Sequence, residues 1–133
     1  MADDRLVREW LDKADEDLAF ARANFEEGWN FHAQICFHFQ QSAEKYLKAF
    51  VVANNLEFRK IHDLVALLTQ CLNLAPSLAD LRADCEYLNT FYIEVRYPVH
   101  WPTHYSHAET EKGLKAALRI QSLVKSLISP KPS

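Results

Sequence analysis

The chain has 133 residues and a formal net charge of −3, with 49% hydrophobic and 25% charged residues; these proportions set disorder aside and fit one domain with one core over residues 1–133. Two glycines and five prolines provide too little punctuation for a many-turned sandwich or barrel, and Leu and Ala far outnumber Val, Ile and Thr, which favours helix over strand. No apolar run approaches the roughly 18 residues of a membrane span, and the charged start Met1–Arg8 is unlike a signal sequence, so a cytoplasmic protein is expected.

The first helix is predicted from Asp3 to about Glu27, with Leu6, Trp10, Ala14, Leu18, Ala21 and Phe25 on one face at spacings of three and four. Acidic residues crowd its first turns, as the helix dipole prefers, and Gly28 suits a C-terminal cap. A second helix runs from about Asn30, a candidate N-cap, to Asn54. Its stripe reads Ile35, Phe39, Ala43, Tyr46 or Leu47, and Phe50, widened by Phe31 and Phe37. So apolar a helix is expected to sit centrally or to cover a partner.

After a turn through Asn54–Lys60, a shorter helix is predicted from about His62 to Asn73, carrying Leu64, Leu67, Leu68 and Leu72. Ser77 and Asp80 have the spacing of a weak capping box. They open a fourth helix with the most regular stripe of the chain, Leu78, Leu81, Cys85, Leu88, Tyr92 and Val95. Pro98 and Pro102 break the chain beyond it. Ser106 and Glu109 form a second capping box that opens a last helix to about Ser129, and residues 130–133 read as a frayed tail. The expected architecture is all-α, an antiparallel up-and-down bundle of four long helices plus a short one.

Charge is uneven along this chain. Residues 1–27 carry nine acids and four bases, and the remainder nine acids and eleven bases, so a polyanion would avoid the first helix. Cys36, Cys71 and Cys85 are odd in number and widely spaced, which reads as reduced thiols packed as small apolar residues.

The densest chemistry lies in Arg96-Tyr97-Pro98-Val99-His100-Trp101-Pro102-Thr103-His104. A histidine can take a proton from a ribose 2′-OH near neutral pH, and an arginine fork can stabilise the charge growing on the phosphate. The bland alternative pairs Arg96 with Glu94 or a helix C-terminus and leaves the histidines solvated. His100, His104 and His107 also invite a metal reading, which Pro102 and the scarcity of nearby carboxylates disfavour. No metal and no cofactor is therefore expected. On the second helix Gln41, Glu44, Lys45 and Lys48 line one face, either as solvated pairs or as a polar seam toward another helix or the active loop. His62-Asp63 reads as a helix start, with Asp63 serving the first turn and His62 capping or packing.

Taken together, these pieces resemble the HEPN superfamily (higher eukaryotes and prokaryotes nucleotide-binding domain). The resemblance rests on Trp10, Ala14, Asp17-Leu18 and Ala21, then Phe39-Gln40-Gln41-Ser42-Ala43-Glu44-Lys45 with Lys48-Ala49. His62-Asp63-Leu64 with Leu67-Leu68 comes next, and then Tyr92 with Arg96-Tyr97-Pro98. It implies an all-α bundle, usually homodimeric, with the polar motif near the dimer interface. Many members are metal-independent endoribonucleases, and small prokaryotic ones are often toxins beside a minimal nucleotidyltransferase. Their signature is an arginine, four to six residues, then a histidine. This chain departs from it, with three residues between Arg96 and His100 and seven between Arg96 and His104.

Two functions are expected. One is a nucleotide- or RNA-binding module, dimeric and partnered with a nucleotidyltransferase, that uses Arg96, Tyr97, Trp101, Lys45, Lys48 and Gln41. The alternative is an endoribonuclease using Arg96 with His100 or His104. The dimer contact is expected from the apolar second helix or from the Leu78–Tyr92 seam.

Overall fold

The structure, a computed structural model, describes residues 3–96 and 105–128, with only the helical backbone for 93–96. Five α-helices and one 3-10 segment account for nearly all of it: α1 Asp4–Glu26, α2 His32–Ala53, α3 Leu64–Cys71, the 3-10 segment Pro76–Leu81, α4 Arg82–Arg96 and α5 His107–Ile128.

Each boundary has a local cause. Asp3 caps α1, its carboxylate accepting from the amides of Arg5 and Leu6 at 3.0 and 3.3 Å. At the other end Gly28 adopts φ +84°. There the Trp29 amide bonds the Asn24 carbonyl and the Gly28 amide bonds the Phe25 carbonyl, a Schellman closure that needs a left-handed residue. The second helix closes in the same way with Asn55 at φ 55°, and Leu56 and Asn55 donate to the carbonyls of Val51 and Val52. Asp63 caps α3 through the Val65 and Ala66 amides. At α5 the reciprocal capping box forms, with Ser106 N on Glu109 Oε1 at 2.8 Å and Glu109 N on Ser106 Oγ at 3.0 Å.

Contacts across the bundle fix its directions. Asp17 meets Lys45 and Phe25 approaches His32, so α1 and α2 are antiparallel. Cys36 meets Thr110 while Tyr46 meets Gln121, so α2 and α5 are parallel. Asp84 pairs with Arg119 and Phe91 packs on Tyr105, so α4 and α5 are antiparallel. The result is an up-down-up-down bundle with α3 and the 3-10 segment inserted between α2 and α4. Helix α2 is its axis, packing on α1, α3, α4 and α5. Ile35, Phe39, Ala43, Tyr46, Leu47 and Phe50 are all buried there. The N-terminus of α5 comes close enough to α2 and α4 that a Cβ on Gly113 would sit 3.2 Å from the Phe39 and Phe91 rings. The three cysteines are free and buried, and burial pushes the thiols of Cys71 and Cys85 up to about 11 and 12.

Four local expectations give way. The buried face of α1 begins at Val7, and Leu6 is exposed, because a 3.6-residue helix drifts against a three-and-four stripe over six turns. Asn30 is not the N-cap of α2; Phe31 holds that position without a side-chain bond. Ser77 forms no capping box, since Pro76 opens a 3-10 turn in which Leu78 and Leu81, three apart, both enter the core. Of the Leu78–Tyr92 seam, Leu78, Leu81, Cys85 and Leu88 are covered by their own bundle at 0–3% exposure in the single chain, and Tyr92 is half-buried. Neither those four residues nor the buried stripe of α2 is available to a second copy.

Candidate functional site

One face of α2 carries Phe37, Gln40, Gln41, Glu44 and Lys48 at spacings of three and four, which stacks them in a row. The connection from α2 to α3 folds back over this row. His62 Nδ1 lies 3.0 and 3.1 Å from the two Glu44 oxygens. Lys48 Nζ lies 2.8 Å from Glu44 Oε2. Gln40 donates to the His62 carbonyl at 3.2 Å, and Gln41 donates to Gln40 Oε1 at 2.7 Å. Glu44 and Lys48 are buried, while the His62 side chain is 50% exposed. Removing one partner of such a buried pair would leave an uncompensated charge, so the two define each other's position.

Aromatic rings frame the charges at both ends. Lys48 Nζ sits 6.0 Å from the Trp10 ring centroid and 5.7 Å from that of Phe58, and those two rings are 5.6 Å apart. At the other end His62 stacks on Tyr92, with centroids 4.7 Å apart and planes at 19°, and Tyr92 stacks on Phe37 at 6.1 Å. Asp63 is tied in by the Asn89 amide at 2.9 Å, while Asn89 accepts from the Leu64 amide. The Asn89 bond, and then the capping amides, hold the Asp63 carboxyl below its ordinary range. A depression of about 340 Å³ lined by Leu6, Glu9, Trp10, Lys13 and Lys45 adjoins Trp10.

Arg96 closes α4 one helical turn beyond Tyr92, and its side chain lies outside the described residues. So do Tyr97, His100, Trp101 and His104. Lys45 is bonded to Asp17, with His38 Nδ1 3.6 Å from the same carboxyl. Burial pushes Asp17 up, but the nearby His38 ring and the hydrogen bond from Lys45 outweigh it and leave the carboxyl below its usual range. Lys48 is engaged by Glu44, so a phosphate approaching either lysine must compete with a carboxylate of this chain. Gln41 joins the row through Gln40.

The sequence does not announce His62 as a partner of Glu44, nor Tyr92, Phe37, Trp10 and Phe58 as the rings around them. Helical spacing exposes the Glu44–Lys48 pair; nothing in the sequence shows that a connection 18 residues later folds onto it. A cavity of about 490 Å³ lies elsewhere, between α1 and the end of α5, lined by Asp15 and Lys125 among others. Among the described residues no group of three or more potential ligands could hold a metal ion, and no helix is long and apolar enough to cross a membrane.

An all-α bundle that gathers a buried ion pair and partly exposed aromatic rings around Tyr92 of its fourth helix is the class these features define. The HEPN domain family model matches residues 7–127, and the chain belongs to that family. Among solved structures it is similar to TT1696 from Thermus thermophilus, at 28% identity and TM-score 0.81, over 90% of this chain and 96% of that one. It is likewise similar to ST0689, an archaeal HEPN homologue, at 28% identity and TM-score 0.75, over 92% and 98% of the two chains. No curated protein matches it.

Proposed function

We propose that this HEPN domain binds single-stranded RNA or nucleotides at the mouth formed by the Phe37–Lys48 row of α2, His62 and the end of α4. The observation that carries the reading is the His62–Tyr92–Phe37 ring stack set beside a fixed Glu44–Lys48 pair, one helical turn from Arg96. Bases stack on aromatic faces whatever their identity, and arginine is the residue type suited to the phosphate contact. Tyr97 and Trp101 come soon after Arg96 in the chain and extend the same aromatic chemistry. The net positive charge of residues 28–133 draws a polyanion to this side rather than to α1.

In this reading the protein acts as a homodimer and engages a nucleotidyltransferase partner, as the family resemblance implies. The protomer leaves Phe20, Trp29 and Phe31 exposed, with Trp29 and Phe31 stacked at 5.5 Å, and this apolar surface supplies the dimer contact. Calorimetric titration with a mixed-sequence single-stranded oligoribonucleotide and with mononucleotides tests the binding. Arg96→Ala is expected to weaken it tenfold or more, and absence of binding to every one of these ligands would overturn the reading.

A further inference from the structure

The connection after α2 is already fixed to the bundle without the His62 ring. Gln40 holds the His62 carbonyl, Asp63 caps α3, and Asn89 bridges Asp63 to the Leu64 amide. The ring itself is arranged for something else. Its Nδ1 meets Glu44 at 3.0 Å, its plane lies on Tyr92, half of the side chain is exposed, and Nε2 meets no partner among the described residues. A carboxylate on Nδ1 fixes the tautomer, so that Nδ1–H donates to Glu44 and the Nε2 lone pair is left to accept a proton. Lys48 holds the second oxygen of Glu44 and so fixes the carboxylate in turn.

We infer that His62, oriented by Glu44 as a positioning residue, is the proton acceptor in a metal-independent cleavage of RNA at this site, in place of a histidine from the Arg96–His104 segment. This rests on the RNA-binding reading above. RNA is the ligand in which such an imidazole has a reaction to serve, because the ribose 2′-OH is a nucleophile already placed beside the phosphorus. His62 Nε2 takes the 2′-OH proton, O2′ bonds to phosphorus and the P–O5′ bond breaks. The departing O5′ takes a proton from solvent, giving a 2′,3′-cyclic phosphate and a 5′-hydroxyl with no change of oxidation state. Among the described residues, the charged and titratable groups around His62 are Glu44 from α2 with Lys48 behind it, Tyr92 from α4 and its chain neighbour Asp63. The spacing of Arg96 from His100 and His104, outside the family signature, ceases to be an obstacle, since the acceptor comes from another part of the chain.

The test measures cleavage of a single-stranded oligoribonucleotide in EDTA, alongside its binding, by the full chain and by single variants. His62→Asn, measured at saturating oligonucleotide so that any loss of affinity is separated from loss of turnover, is expected to lose 100-fold or more in rate while keeping its helical circular dichroism. Imidazole in the buffer is expected to restore part of the rate to His62→Ala. Glu44→Gln is expected to shift the pH profile of the rate, and the two His62 variants decide the matter should loss of the Lys48 counter-charge unfold that protein. His100→Ala and His104→Ala are expected to stay within tenfold of wild type. A chain that binds the oligonucleotide and does not cleave it overturns this inference and leaves the binding reading standing; one that does not bind it overturns both. Cleavage that survives His62→Asn and is lost in His100→Ala or His104→Ala also overturns it.

Discussion

Gly28 and Asn55 occupy the same structural position, the left-handed residue that closes a helix, at φ 84° and 55°. The difference between them is steric. Glycine has no Cβ to meet the following carbonyl, whereas asparagine tolerates this region at some cost. Replacing Gly28 by Ala is therefore expected to lower stability by about 1 kcal/mol, although open space surrounds the site, and Asn55→Gly to raise it by roughly 0.5 kcal/mol. Urea denaturation of the two variants checks both signs. At this scale Gly28 is legible as a cap, because glycine before a new helical stripe has few other uses. Asn55 is legible only as part of a turn, because Asn54 and Asn55 are alike in sequence and only the closing hydrogen bonds tell them apart.

Among the elements, polar clasps add to the apolar face that holds α1 to α2 and α5. Asp15 accepts from Tyr46, Gln121 and Lys125, and Asp17 from Lys45. Partial burial pushes Asp15 up, but the bonds from Lys125, Tyr46 and Gln121 outweigh it and leave the carboxyl low; burial and the bond to Asp15 push the Tyr46 hydroxyl well above its ordinary range. Because the folded-state values of Asp15, Asp17 and Asp63 lie below those of the unfolded chain, the stability they contribute is complete above about pH 4. It is lost as pH falls through the folded values. Asp17→Asn is expected to flatten that acid limb in thermal melts between about pH 5 and pH 2.

The Leu78–Leu88 stripe belongs to the same scale. Its regularity reads equally well as an intermolecular seam or an intramolecular one, since periodicity reports a buried face and not what buries it. In the fold α2, α3 and α5 cover it. Leu88→Ala is accordingly expected to cost about 2–5 kcal/mol of protomer stability. Size-exclusion chromatography with light scattering is expected to show an unchanged oligomeric state, and dissociation of a dimer by this substitution would contradict the assignment.

For the whole molecule, the architecture is readable because four long stripes agree with one another and the caps at Gly28 and Ser106 mark ends of two of them. The candidate site is readable only in halves. Glu44, Lys48 and Gln41 stand on one helix and announce themselves by spacing, as does the Arg96 segment by composition. Their link through His62 and Tyr92 is a long-range contact created by the return of a connection over α2, and no local pattern encodes it. The proposed function assigns the molecule two separate surfaces, an aromatic and ionic mouth to the ligand and the exposed Trp29–Phe31 pair to a second copy. Trp29→Ser with Phe31→Ser is expected to yield a monomer by light scattering while the oligoribonucleotide still binds.

Where the ligand sits decides between these surfaces. Amide chemical-shift mapping of the full chain during titration with a single-stranded oligoribonucleotide tests this most directly. The perturbed residues are predicted to cluster along 37–48, at His62 and along the last turn of α4. Perturbations confined to the Asp15–Lys125 side, with His62 and Tyr92 unmoved at saturation, would contradict it.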